Sequence, residues 1–432
     1  MTASLMLQAG NVAAQSPTLV GQMSDLFLQS IVLARTPTGS GLVAHTPVFV
    51  DSENVTDAEQ LIAQVNQQIG AQVSNFPLGS SASGFTFAYD PSLGTFSRTT
   101  ETFGPSFAER AATLGSRRMS FGMTYLHTGY STLDGRDLRN GDIAFNLLHQ
   151  PLTPASYVEG DVVQATLGLG LSSNTTAFQF DYGVSNRLDL GVAIPIVQVG
   201  MQLTYHATIL DFSTHTVSPT THLFANGTKT QDFSSNGSAS GVGDVVLRGK
   251  YRLEDIGAIS AAIGVDLRLP TGDENNMLGT GYAQTKTFLI LSSKTSDRIA
   301  PHLNIGYTFG RSSNSALNPT DAFNYTGGVE VLVTPKVTIV ADLVGRRLNH
   351  AQRLSDALTP HSYQQGPTAP AETATLTSVA IADGALGSVL GSAGAKFNLW
   401  RNLLVSANLL LPTNSAGLRI KPTPVIGFDY SF

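Results

Sequence analysis

From residue 118 onward, apolar and polar positions alternate along the chain. In DVVLRGKYR, Val245, Leu247 and Tyr251 fall on one face and Asp244, Arg248, Lys250 and Arg252 on the other. In AISAAIGVDLRLP, Ile259, Ala261, Ile263, Val265, Leu267 and Leu269 oppose Ser260, Gly264, Asp266 and Arg268. KVTIVADLVGR sets Val337, Ile339, Ala341 and Leu343 against Thr338, Asp342 and Arg346. A period of two sustained over about 10 to 14 residues predicts strands. One face is uniformly apolar, while the other carries charges of both signs.

The connections between these strands alternate in length. GVSNRL at 183, RLEDIGA at 252, KTSDRIA at 294, LVTPKV at 332 and NLWRN at 398 are tight polar turns. The intervening connections, 131–160, 212–240, 270–282, 312–320, 350–384 and 412–422, are long. Short turns on one side and long loops on the other predict an all-β fold, a transmembrane antiparallel β-barrel of about 12 strands, with 14 also allowed, and both barrel termini on the periplasmic side. The last strand, KPTPVIGFDYSF, places Pro424, Ile426, Phe428, Tyr430 and Phe432 two apart. In a closed barrel that face meets lipid, with Phe428, Tyr430 and Phe432 in the periplasmic aromatic girdle. The competing reading is an edge strand of a soluble sandwich.

Residues 17–115 lack this rhythm. NVTDAEQLIAQVNQQIGAQV has Thr56 and Glu59 at capping-box spacing, then Leu61, Ile62, Val65, Ile69 and Val73 on one stripe, predicting an amphipathic helix. GPSFAERAATLGS predicts a second, with Ser106 as cap, Glu109 returning the bond and Gly115 ending it. Between them, Phe85, Phe87, Tyr89, Phe96 and Phe103 predict a strand or hairpin packed in the lumen, and are the candidate ligand-binding aromatics. The apolar helix faces need cover, and the barrel interior is the cover available. The expected organisation is therefore a signal-peptide remnant over 1–16, an N-terminal, partly helical plug or periplasmic segment over 17–115, and the barrel over 116–432.

Composition sharpens the membrane reading. Charged residues make up 13% of the 432 positions and mean hydropathy is +0.06, a sparse surface for a soluble protein of this length. No apolar run reaches the roughly 18 residues a membrane helix needs. The chain has no cysteine and a net charge of −6, which removes thiolate chemistry and argues against nucleic acid as partner.

Several segments carry a family resemblance: FGPSFAERAATLG (103–115), YSTLDGRDLRNGDI (130–143), DYGVSNRLDLGVAIPIV (181–197), GVGDVVLRGKYRL (241–253) and LRLPTGDENNMLGTG (267–281). The chain resembles the outer-membrane proteins associated with the meta-pathway of phenol degradation, which are similar to long-chain fatty-acid and aromatic-hydrocarbon channels. The resemblance departs in an Ala/Ser/Pro-rich insertion at 359–384. It implies a bacterial outer-membrane channel for passive uptake of hydrophobic small molecules, with a terminal aromatic pattern similar to the signal read by the barrel-assembly machinery.

The polar face supplies a set of charges expected to fill the lumen as a salt-bridged network: Asp181, Arg187, Asp189 and Asp244; Arg248, Lys250, Arg252 and Asp266; and Arg268, Glu330, Asp342, Arg346 and Lys396. Such a network predicts an occluded barrel, not an open porin. His206, His215 and His222 lack metal-ligand spacing, Asp273 and Glu274 lack the oxygen spacing of a calcium loop, and GLGLG at 168 precedes no helix. No metal, cofactor or catalytic constellation is assigned. Two further readings stand beside transport: a surface-binding barrel that transports nothing, and an outer-membrane hydrolase.

Overall fold

The computed structural model describes residues 18–432 apart from 39–40, 45–48, 50–51, 75–76, 82–83, 91–94, 99–100, 150–159, 213–221, 294–295, 297, 313–318 and 366–367. The signal-peptide expectation for 1–16 lies outside these residues. Twelve antiparallel strands form the wall: β1 (Met119–Leu133), β2 (Val162–Gly183), β3 (Leu188–Leu210), β4 (Val246–Arg252), β5 (Ile259–Arg268), β6 (Ala283–Ser293), β7 (Ile299–Arg311), β8 (Ala322–Thr334), β9 (Val337–Gln364), β10 (Ala371–Trp400), β11 (Leu403–Pro412) and β12 (Thr423–Ser431). Each pairs with its successor. β12 returns to β1, Tyr430 opposite Phe121 and Ser431 opposite Ser120, and Met119 and Phe432 exchange backbone bonds. Closure leaves every strand partnered at this level, which a sheet in lipid requires.

The outer face is the apolar one. Leu190, Ile263, Leu303, Ile339, Leu343 and Ile426 are all exposed. Around the tight-turn end, Phe180, Tyr182, Tyr251, Trp400, Phe428, Tyr430 and Phe432 point outward as a ring of exposed aromatics. This is the girdle and apolar band of a bacterial outer-membrane barrel.

Several segments expected to be loops are strand. β9 and β10 pair continuously from Val337 with Phe397 to Gln364 with Ala371, apart from a shift at Leu348/Ala351. The supposed 350–384 loop is thus a hairpin tip, because alternating Thr, Val, Ile and Leu in TATLTSVAIA override the Ala, Ser and Pro around them. At about 3.3 Å per residue these strands span some 90 Å, far beyond a band about 25 Å tall. Likewise Thr230–Val242, which begins within the expected 212–240 loop and runs two residues past it, pairs with the upper half of β3, and Ile143–Leu148 with the upper half of β2.

The tall strands reverse their polarity as they leave the membrane. On β3, Leu190 and Ile196 face outward, and Asp189 is buried inside. Above Ile196 the outward positions become Gln202, Thr204 and His206, all exposed, while Val197, Val199, Met201, Leu203 and Tyr205 are buried. β2 repeats the switch, from outward Phe180 and Tyr182 with inward Asp181 to inward Leu167, Leu169 and Leu171. The lower lumen is consequently polar and the upper lumen apolar.

Two helices fill that apolar upper space. α1 (Leu19–Ser30), not anticipated from the sequence, begins with Thr18 accepting the Gly21 N–H. α2 spans Ser52–Val73. It starts four residues before Thr56, which is therefore inside the helix and not its cap. Its stripe is as expected, with Ile62, Val65, Ile69 and Val73 buried in one cluster with Leu19 and Met23 of α1 and with Leu167, Leu169, Val199, Met201 and Tyr205 of the wall. Polar ties hold the helices to the loop end: the Leu19 N–H to Asn276, Gln68 to Asp134, and the Leu418 N–H to Gln72.

Candidate functional site

The second expected helix, 105–115, does not form. Its backbone N–H groups donate to the barrel wall in place of i−4 carbonyls. Gly104 donates to Glu330 (2.7 Å), Ser106 and Phe107 to Asp342 (3.1 and 3.0 Å), Glu109 to Asn304 (2.7 Å), Ala111 to Ser292 (2.9 Å) and Leu114 to Asp189 (3.0 Å). Lys396 Nζ donates to the Pro105 carbonyl at 2.7 Å. The acceptors come from β3, β6, β7, β8 and β9, so an extended segment crosses the lumen with wall side chains completing its hydrogen bonds. Gly104 and Gly115, with φ of 85° and 98°, turn the chain at its two ends.

Glu109, expected as a capping residue, is instead the centre of the ion network. It accepts from Arg248 (2.5 Å) and from the Ser81 N–H (2.6 Å) and hydroxyl (2.8 Å). Arg248 also forks onto Asp266 at 2.7 and 2.9 Å. Lys250 approaches Asp189 at 3.5 Å and Glu109 at 3.8 Å. Nearby, Glu330 pairs with His302 at 2.5 Å, and Arg110 donates to the Gly84 carbonyl. Breaking one partner of such buried pairs is costly even where the intact pair contributes little. The network therefore fixes geometry more than it adds stability.

Not every predicted member joins it. Arg187 lies in the β2–β3 turn and pairs with Glu254, and Arg252 pairs with Asp255 across the β4–β5 turn. Arg187 lies beyond the strand ends and Arg252 is the last residue of β4, where the inward face opens to solvent. Asp244 accepts from the Gly272 and Thr280 N–H groups and so anchors the β5–β6 loop. Asp181 is buried and accepts from Gln179. Glu109, Arg110, His302 and Lys286 are not among the lumen charges expected from the sequence, although for Lys286 the signal is there, Gln284 and Lys286 alternating with Thr285 and Thr287 along AQTKTF.

The aromatic segment is a hairpin: Phe87–Asp90 pairs with Thr95–Arg98. Phe85 and Phe103 are buried edge to face, 5.5 Å between centroids, against Leu404. The side chains of Phe87, Tyr89 and Phe96 lie outside the described residues.

Two cavities meet in the lumen. A polar one of about 180 Å³ is lined by Glu109, Arg248, Asp266, Arg268, Lys286 and Arg346, with Phe107 and Phe288. An apolar one of about 110 Å³ is lined by Leu126, Tyr130, Leu386, Leu410, Leu418 and Ile420. Pro77, Arg346, Ser388 and Leu390 line both. This junction is where the polar lower lumen gives way to the apolar upper one.

No curated protein sequence matches the chain. Among solved structures, an outer-membrane channel from Pseudomonas putida F1 is similar at 12% identity, with 74% of this chain and 98% of that one covered and a TM-score of 0.44. A FadL homologue of Pseudomonas aeruginosa shows 11% identity over 81% and 95% of the two chains, TM-score 0.31. The toluene transporter TbuX of Ralstonia pickettii shows 12% over 73% and 89%, TM-score 0.26. With its closed wall, apolar exterior and aromatic girdle, the chain is a β-barrel of the bacterial outer membrane that matches, over residues 153–352, the family described as "Putative MetA-pathway of phenol degradation".

Proposed function

We propose that the barrel is a passive channel for hydrophobic small molecules, fatty acids or aromatic compounds, and that residues 17–115 act as its plug. The observation that carries this reading is the apolar upper lumen. A water-filled porin keeps its interior polar throughout, whereas here Leu126, Leu386, Leu410 and Ile420 line a chamber facing the loop end. A cavity of this order, roughly that which holds benzene in a protein core (~150 Å³), suits an aromatic ring or a short alkyl chain. Burial at about 25 cal/mol per Å² supplies the capture energy. Release follows when the segment crossing the lower lumen leaves its wall acceptors. This reading assigns the protein no catalytic step and gives its insertion to the barrel-assembly machinery.

The test is uptake of radiolabelled toluene, hexadecane and palmitate by cells expressing the protein in an otherwise channel-poor outer membrane. Faster uptake of at least one is expected. Uptake of all three at the rate of cells carrying an empty vector refutes transport. The β9–β10 hairpin, standing far above the membrane, favours a surface-binding role as the second reading; a truncated hairpin that loses cell or envelope binding while uptake was never present would select it.

A further inference from the structure

The polar cavity holds more cations than carboxylates. Four cations, Arg248, Arg268, Lys286 and Arg346, face two carboxylates, Glu109 and Asp266. Both carboxylates are already taken by Arg248. Arg268 donates to the Ser74 carbonyl, a neutral partner. Lys286 rests on the Phe288 ring, Nζ 4.5 Å from the centroid. Among the described residues, neither Lys286 nor Arg346 pairs with a carboxylate. Uncompensated cations in a confined, partly desolvated site are costly, and an anion entering it is correspondingly favoured.

Arg346 has a position that adds direction to this charge. It lines the polar cavity, the apolar cavity, and a third of about 60 Å³ beside Tyr282, Leu348 and Leu386. A ligand with its tail among Leu126, Leu410 and Ile420 would present its other end to Arg346. We propose that the lumen binds anionic amphiphiles, carboxylates with an apolar tail or ring, the carboxylate held by Arg346 with Lys286 and Arg268 and the apolar part in the chamber above. The inference rests on the hydrophobic-channel reading and narrows it: the preferred cargo is an apolar acid and not the matching neutral hydrocarbon or alcohol. The guanidinium is suited to this, because its planar fork matches a carboxylate bidentately.

The test is calorimetric titration of the full chain in lipid nanodiscs with octanoate and with 1-octanol at pH 7, against protein-free nanodiscs. Octanoate binding at least tenfold tighter than octanol is expected in the wild type. Arg346→Gln should bring the two within about twofold of one another, while Arg346→Lys keeps a preference for the acid. Heat-modifiable migration confirms that each variant is a folded barrel, and the wild-type comparison needs no variant. Equal affinity for the two probes, or octanoate affinity unchanged in folded Arg346→Gln, overturns the anion site and leaves the hydrophobic channel standing. Binding of neither probe overturns both.

Discussion

Replacing Asp342 with alanine should open the barrel. Its carboxylate accepts two backbone N–H groups of the crossing segment, from Ser106 at 3.1 Å and Phe107 at 3.0 Å. A hydrogen bond to a charged group contributes about 1.5–3 kcal/mol, so losing both costs the docked state about 3–6 kcal/mol. Part of this is offset because a buried carboxylate no longer has to be desolvated. The other acceptors, Glu330, Asn304, Ser292 and Asp189, stay in place, so the segment is loosened and not lost. At tenfold per 1.4 kcal/mol, the undocked-to-docked ratio rises by about 10² to 10⁴. Single-channel recording in planar bilayers reads this as more frequent openings, and Asp342→Asn, which keeps a neutral acceptor, should fall between alanine and wild type. An assembled Asp342→Ala barrel that opens as rarely as the wild type would show that this segment does not occlude the channel.

Further outcomes follow from the wall and its contacts. Gly183→Ala places a Cβ 1.9 Å from the Gly115 carbonyl oxygen and should sharply lower the folded fraction in heat-modifiable gels, while Gly327→Ala, with nothing within 4 Å, should leave it unchanged. Leu343→Arg, on the outward face and 45% exposed, should destabilise the barrel by about 2–4 kcal/mol in urea titration within lipid, against about 0–1 for Phe432→Lys near the interface. Assembly of Phe432→Lys impaired far beyond that figure would indicate recognition of the terminal aromatics during insertion. Ser431→Lys tests the register differently: Ser431 is buried facing Gly84, so a lysine there should displace the lumenal segment. Excising residues 357–378, whose strand ladder is with each other and which touch the rest of the protein only above the membrane wall, as at Thr377 with Asn146 and Gln164 and at His361 with the Gly160 carbonyl, should leave heat-modifiable migration intact.

How much could be read without the fold depends on whether neighbouring positions or distant ones decide a feature. Strand existence, the lipid-facing set from Leu247 to Phe432 and the side bearing the tight turns were legible, because period-two alternation and turn chemistry are local. The polarity switch above Ile196 is also written in the chain, where the apolar parity passes from Leu190, Val192, Ile194 and Ile196 to Val197, Val199, Met201 and Leu203; it shows as a switch only once the membrane boundary is located. The stripe of α2 was equally local. The fate of 104–114 was not: capping-box spacing at Ser106 and Glu109 describes a helix, yet five wall strands offer its N–H groups better acceptors, and those come from residues 75 to 236 positions away. The charge list shows the same division. Alternation alone placed Arg248, Asp266 and Arg346 inside, but barrel closure decided that Glu109 from outside the wall neutralises Arg248, that Arg187 and Arg252 fall at the rim, and that Arg346 stands where three cavities meet. Sequence determines which way each side chain points along a strand; only the closed tertiary structure determines what it then faces, because lumen partners are set by strand register around the whole ring.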